Sequence, residues 1–203
     1  MSVPMAIVDY IPVLFFIVSA IMIQRGLYAI MSKGAFALLS GGTIMVIAAG
    51  LMKATWKLLY ALGVCDFERL NQCFFPMQSV GFLLAGISVC ALCFFPQKKE
   101  ALAAVCAPAV FSGTMVFVAL MVLGCLGYCG GLALYAKRQK KGKAAVLFLI
   151  AFLFMLGMGY LSSRDFAKAS MNWIAEGVNV AGQLILLLAA GMLAKKEKTA
   201  EAE

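Results

Sequence analysis

The sequence predicts an all-α polytopic membrane protein, with six transmembrane helices arranged as a 3+3 inverted repeat. Three observations predict it: an apolar composition, six long apolar runs, and polar residues that recur in order in the two halves. Of 203 residues, 64% are hydrophobic and 13% charged, and the mean hydropathy is +0.98. Soluble domains carry roughly 25% charged residues, and no stretch outside the apolar runs is long enough to bury a core of its own. The first run is expected to be a full span and not a signal peptide, because no basic region precedes it and its first charge is Asp9.

Span 1 is expected over roughly Asp9 to Ile30, with Pro12 in its first turn, where proline is tolerated. Span 2 covers about Ala35 to Leu62. Its last third carries Lys53, Trp56, Lys57 and Tyr60 on one helical face, which reads as an interfacial anchor of snorkelling amines and headgroup-level rings. Span 3 runs from about Cys73 to Phe95 with Pro76 near its start, and span 4 from Ala101 or Pro108 to about Tyr135. Span 4 is rich in glycine, which suits close helix packing. Span 5 covers about Ala144 to Leu161, and span 6 Met171 to Leu193.

Six spans place both termini on one side. The basic residues of the second and fourth loops and of the tail, including Lys137, Arg138, Lys140, Lys141, Lys143 and Lys195, outweigh Lys33, Lys98, Lys99, Arg164 and Lys168. The positive-inside rule then puts both termini in the cytoplasm. The same rule accounts for the net charge of +8 without a nucleic-acid partner.

The halves match in order. At a constant offset of 101, Asn71 pairs with Asn172, Gln78 with Asn179 and Gly81 with Gly182; Pro12 with Pro108, Tyr60 with Tyr160 and Asp66-Phe67 with Asp165-Phe166 follow at nearby offsets. Residues 1–100 and 101–194 are therefore expected to be two three-helix units, followed by a charged tail at 195–203. Three spans per unit is an odd number, so strict alternation inverts one unit relative to the other, as in many secondary transporters.

The candidate site lies on span 6. Asn172, Glu176, Asn179 and Gln183 recur at helical spacing and share one face. That stripe is costly in lipid and must face protein or water. Arg25 lies about 8 Å before the end of span 1, and Glu176 about 8 Å after the start of span 6, taking 1.5 Å per residue. By the parity of six spans they are level and form a charge pair, with Lys53 and Lys57 nearer the other face. Gln24, Asn71, Gln78, Asn172, Asn179 and Gln183 are expected to supply hydrogen bonds, and Trp173 to wall the entrance.

Histidine is absent, which removes the commonest general base and metal ligand and argues against membrane metalloproteases and haem-binding bundles. The seven cysteines are an odd number lying mostly in apolar runs, unlike a disulfide framework. Cys90 and Cys93 have CxxC spacing, but strict alternation puts them on the opposite face from Cys125 and Cys129, which disfavours thiol exchange. The reading is therefore a small membrane carrier or channel with a polar site between two inverted halves. The alternatives are a ligand-binding or regulatory subunit that needs a partner, such as an importer's substrate-binding component, and behind it a membrane thiol-redox protein. No cofactor, metal or catalytic group is expected. The expected partners are the lipid bilayer, a small-molecule or ion substrate, and a second copy or partner subunit.

Overall fold

A computed structural model of the chain describes residues 2–95, 114–162 and 169–195. These residues are helical, with no strand among them. The helices are α1 (Val3–Val8), α2 (Tyr10–Leu27), α3 (Lys33–Ala61), α4 (Glu68–Phe94), α5 (Thr114–Cys125), α6 (Gly131–Arg138), α7 (Gly142–Ser162) and α8 (Ala169–Ala194). A π-helical turn, Leu126–Gly130, joins α5 to α6, and α1 and α2 meet at Asp9. Five columns are long and apolar enough to cross a membrane: Val3–Leu27, Lys33–Ala61, Glu68–Phe94, Val116–Arg138 and Ser170–Ala194. A sixth apolar helix, Gly142–Met158, is shorter. The chain is thus built as a multi-pass membrane protein.

The start of span 4, the third loop, the loop with Arg164, Asp165, Phe166 and Lys168, and residues 196–203 lie outside the described residues. So do Pro108 and the boundary at 100/101. Helix α4 begins at Glu68, earlier than the expected Cys73, so Pro76 sits inside the helix and not at its start. Its missing N–H breaks one rung of the hydrogen-bond ladder there.

Helix ends show how these segments stop. The side chain of Ser32 accepts the Ala35 N–H and caps α3. At its other end, Gly63 takes a φ of +68° while its N–H bonds the Tyr60 carbonyl and that of Val64 bonds Leu59. This is the paired bonding of a Schellman turn. Helix α6 ends on the same bonding pattern, Lys140 to Lys137 and Lys141 to Ala136, but the left-handed position is held by Lys140 at φ +59°. A side chain there costs roughly 1 kcal/mol that glycine avoids.

Packing sets the direction of each helix. Gly42 and Gly81 bring α3 and α4 into backbone contact, and Ser88 donates to the Ala35 carbonyl at 2.6 Å, so the two helices run antiparallel. Helix α4 meets the α5–α6 column differently. Gly124 lies on Phe82 and Leu83, Gly127 on Gly86, Gly131 on Val89, and Arg138 donates to the Cys93 carbonyl. Residue numbers rise together along that contact, so α4 and α5–α6 are parallel. Helix α8 is likewise parallel to α2. Glu176 is level with Asp9 through Lys57, and Gly191 is level with Met22. Helices α7 and α8 are antiparallel, with Phe154 against Gly182. The rings of Phe16, Phe82 and Tyr128, with centroids 5.8–6.4 Å apart, join α2, α4 and the π-turn at the centre of the core.

These directions depart from strict alternation. An inverted repeat requires the second unit to run against the first, whereas α2–α3–α4 and α5/α6–α7–α8 both start from the same end of the bundle. The described chain therefore starts and stops at opposite ends, and the expectation of both termini on one side does not fit this packing. Hydropathy locates the helices but does not set their directions, which the contacts between them fix.

Neighbouring glycines provide a test of the backbone contacts. A Cβ at Gly42 would lie 2.5 Å from the Gly81 carbonyl oxygen and 2.7 Å from the Ala85 nitrogen, whereas one at Gly41 meets nothing within 4 Å. Gly42→Ala should destabilise the purified protein by about 1–3 kcal/mol through overpacking. Gly41→Ala should be neutral or gain up to about 1 kcal/mol from helix propensity. Denaturant unfolding in detergent micelles reads both, and equal effects would place the α3–α4 contact elsewhere.

Candidate functional site

Four ionisable side chains gather near the end of the bundle where α2 and α8 begin. Asp9 sits at the break between α1 and α2, and its carboxylate forms an ion pair with the Lys57 amine of α3. The same amine lies 4.0 Å from Glu176 Oε2 on α8, and the two carboxyl groups adjoin one another. Asp9 and Glu176 are 7% and 6% exposed. Lys53, one turn from Lys57, holds its amine 4.1 Å above the centre of the Phe74 ring of α4. Two amines and two carboxylates make the group neutral in sum, which a low-dielectric setting demands.

The surrounding contacts fix this geometry. Tyr10, next to Asp9, shares a hydrogen bond of 3.1 Å with Thr55, two residues before Lys57. Beyond Lys57, Trp56 donates to Asp66 at 3.0 Å and its ring lies 5.9 Å from that of Tyr60. Lys57, on the stretch read as an interfacial anchor, joins the buried group instead. Asp9 Oδ1 and Glu176 Oε1 are buried without a hydrogen-bond partner among the described residues. Both carboxylates keep an acceptor position open.

The stripe on α8 faces protein at Glu176, with Asn172, Asn179 and Gln183 half-buried along it. Gln183 Oε1 also lacks a hydrogen-bond partner among the described residues. Trp173, one turn before Glu176 on α8, is 46% exposed. Asn71 and Gln78 are half-buried on α4. Gln24 lies towards the other end of the bundle and donates to Thr43 at 2.7 Å. Arg25 is exposed in the last turn of α2. It lies sixteen residues, about 24 Å along a helix, beyond Asp9, so it is not the partner of Glu176. The physical reason is direction: α8 starts beside the start of α2, not beside its end.

Sequence reasoning passed over Asp9 and set Lys57 aside as a poor partner. A signal was present, since Asp9 is the only acid before Asp66 and is flanked by apolar residues on both sides. Two lysines inside one span call for two counter-charges, and among the described residues Asp9 and Glu176 supply them. No group of three or more histidine, cysteine or acidic side chains able to hold a metal occurs among the described residues.

The cysteine geometry is also corrected. Because α4 and α5–α6 are parallel, the two pairs share a level: Cys90 Sγ lies 3.9 Å from the Gly127 carbonyl and Cys93 Sγ 3.3 Å from that of Gly131. Cys65, Cys73, Cys90, Cys93, Cys125 and Cys129 are free thiols. No family model, curated protein or solved structure matches the chain.

Removing the shared cation is the direct test. Lys57→Gln leaves two neighbouring buried carboxylates and should destabilise the protein by about 3 kcal/mol. Adding Asp9→Asn and Glu176→Gln to it should recover most of that loss, whereas Arg25→Gln alone should change stability by less than about 0.5 kcal/mol. Unfolding midpoints in one detergent compare all three. A larger loss from Arg25→Gln than from Lys57→Gln would contradict the pairing.

Proposed function

We propose that this chain is a small integral membrane carrier that moves or couples to protons through the Asp9–Lys57–Glu176 group. One observation carries the reading: the group ties α8 to the first helices of the chain, with Asp9 and Lys57 on one side and Glu176 on the other. Carrier sites commonly lie between repeated units, and such units also occur in parallel, related by an axis along the membrane normal. The matches at offset 101 fit that parallel relation, since Gly81 packs on α3 and Gly182 on α7, the corresponding neighbours.

The chemistry follows from the charge count. With both carboxylates ionised, Lys57 is held from two sides and the units are tied together. A proton from water taken up by Glu176 or Asp9 cancels one negative charge, weakens the bridge to Lys57 and frees the units to shift. Loss of that proton restores the bridge. Ionisable groups inside membrane spans mark such paths. In vesicles loaded with a pH-sensitive dye, the purified chain should dissipate an imposed pH gradient. Glu176→Gln and Asp9→Asn should slow this at least tenfold, and Arg25→Gln should not. Wild-type rates from Glu176→Gln would remove the carrier reading. An inert wild-type chain would instead favour a binding or regulatory subunit that needs a partner.

The orientation proposed differs from one with both termini cytoplasmic. The end where α2 finishes gathers Arg25, Lys33, Lys137, Arg138, Lys140, Lys141, Lys143 and Lys195, while the Asp9 end mixes Lys53, Lys57 and Arg69 with Asp9, Asp66, Glu68 and Glu176. The positive-inside rule assigns the first of these to the cytoplasm. Cys65 is exposed in the α3–α4 turn at the Asp9 end. A membrane-impermeant maleimide should label it in intact cells, with Cys65→Ser as the control, and should reach Lys140→Cys only after permeabilisation. The reverse pattern would invert the assignment.

A further inference from the structure

A cleft of about 90 Å³ opens at the basic end of the bundle, between the last turns of α2 and α8 and the α6–α7 turn. Its walls are apolar, from Met22, Ile23, Leu27, Ala190 and Leu193, and its mouth is polar, from Tyr135, Gln139 and Lys141. Gly26 leaves one wall bare: a Cβ there would meet nothing within 4 Å. Gly26, Gln139 and Ala194 are exposed at the rim, so the cleft is reached from outside the bundle.

The mouth carries cations in fixed places. Lys141 Nζ donates to the Leu193 and Lys195 carbonyls at 2.6 and 2.5 Å, which caps the C-terminal end of α8. An ammonium has three donors, and these two bonds are the ones it makes among the described residues, which leaves one for an outside acceptor. Lys137, Lys140 and Lys143 are exposed on the same turn. Lys140 holds the left-handed position that Gly63 fills at the other end of α3, so the chain keeps a charge where glycine is less strained.

We propose that this cleft binds an anionic phospholipid. The phosphate sits among Lys141 and the lysines of the α6–α7 turn, and the upper acyl chain lies along the apolar wall beside Gly26. Charge complementarity selects this occupant: a basic mouth over an apolar, outward-opening wall matches an acidic headgroup with hydrocarbon beneath it. A neutral lipid would fill the wall and leave the cations unanswered.

The test uses the purified full chain in detergent, with phosphatidylglycerol and phosphatidylcholine of identical acyl chains as probes. Native mass spectrometry counts the bound lipids, and thermal unfolding measures the stabilisation each gives. The wild-type protein should retain phosphatidylglycerol at least tenfold better than phosphatidylcholine. The triple change Lys137→Gln, Lys140→Gln, Lys143→Gln should reduce that preference by about fivefold for each lysine that contacts the phosphate. Gly26→Leu should fill the cleft and abolish phosphatidylglycerol retention while leaving the lipid-free unfolding temperature unchanged. Equal retention of the two lipids by the wild-type chain would overturn the proposal, as would full retention by Gly26→Leu. Equal stabilisation by inorganic phosphate would also overturn it, because the acyl wall would then contribute nothing.

Discussion

Backbone contact along α4 governs the arrangement of this bundle. Gly42 and Gly81 let α3 lie directly on one side of α4, and Gly86, Gly124 and Gly127 let the α5–α6 column lie on another. In a membrane, lipid tails are as apolar as leucine, so helices associate through close packing and not through a hydrophobic drive. Glycine stripes therefore select neighbours and register. Once α4 is held parallel to the α5–α6 column, the short turn at Gln139–Lys141 sends α7 back and α8 forward again. The place of Glu176 beside Asp9 follows from that sequence of directions.

Charge neutrality is the second constraint, and it depends on the first. A lone carboxylate or amine at depth costs at least about 2.5–3.5 kcal/mol on insertion scales. Asp9, Lys53, Lys57 and Glu176 offset one another only because three helices bring them to one level. The group is neutral as a whole yet leaves acceptor positions on both carboxylates unfilled. Purely structural ion pairs tend to satisfy their lone pairs, since an unmet buried acceptor costs free energy.

The two ends of the molecule differ in the same way that their turns differ. The α3–α4 turn uses Gly63 for its left-handed residue, while the α6–α7 turn uses Lys140. Arg138 and Lys141, flanking Lys140, reach the C-terminal carbonyls of α4 and α8 respectively. One turn thus caps two helices, α4 and α8. Cations suit helix C-termini, where carbonyls without partners collect. The basic end is therefore organised by the fold and is more than an accumulation of surface charge.

The sequence by itself determined the helical class, the six apolar columns and the stripe of α8 that buries Glu176. Each follows from local composition or from 3.6-residue periodicity, which short stretches of chain express without their neighbours. Helix direction was decided only by tertiary contact. Strict alternation of spans, assumed from hydropathy, does not describe the parallel contact of α4 with the α5–α6 column. That assumption set Arg25 opposite Glu176 and moved the two cysteine pairs apart. Lys57 and Asp9 were legible as residues needing partners but not as each other's partner, because a buried charge is answered by whatever lies beside it in space. The glycine contacts on α4 decide what lies there.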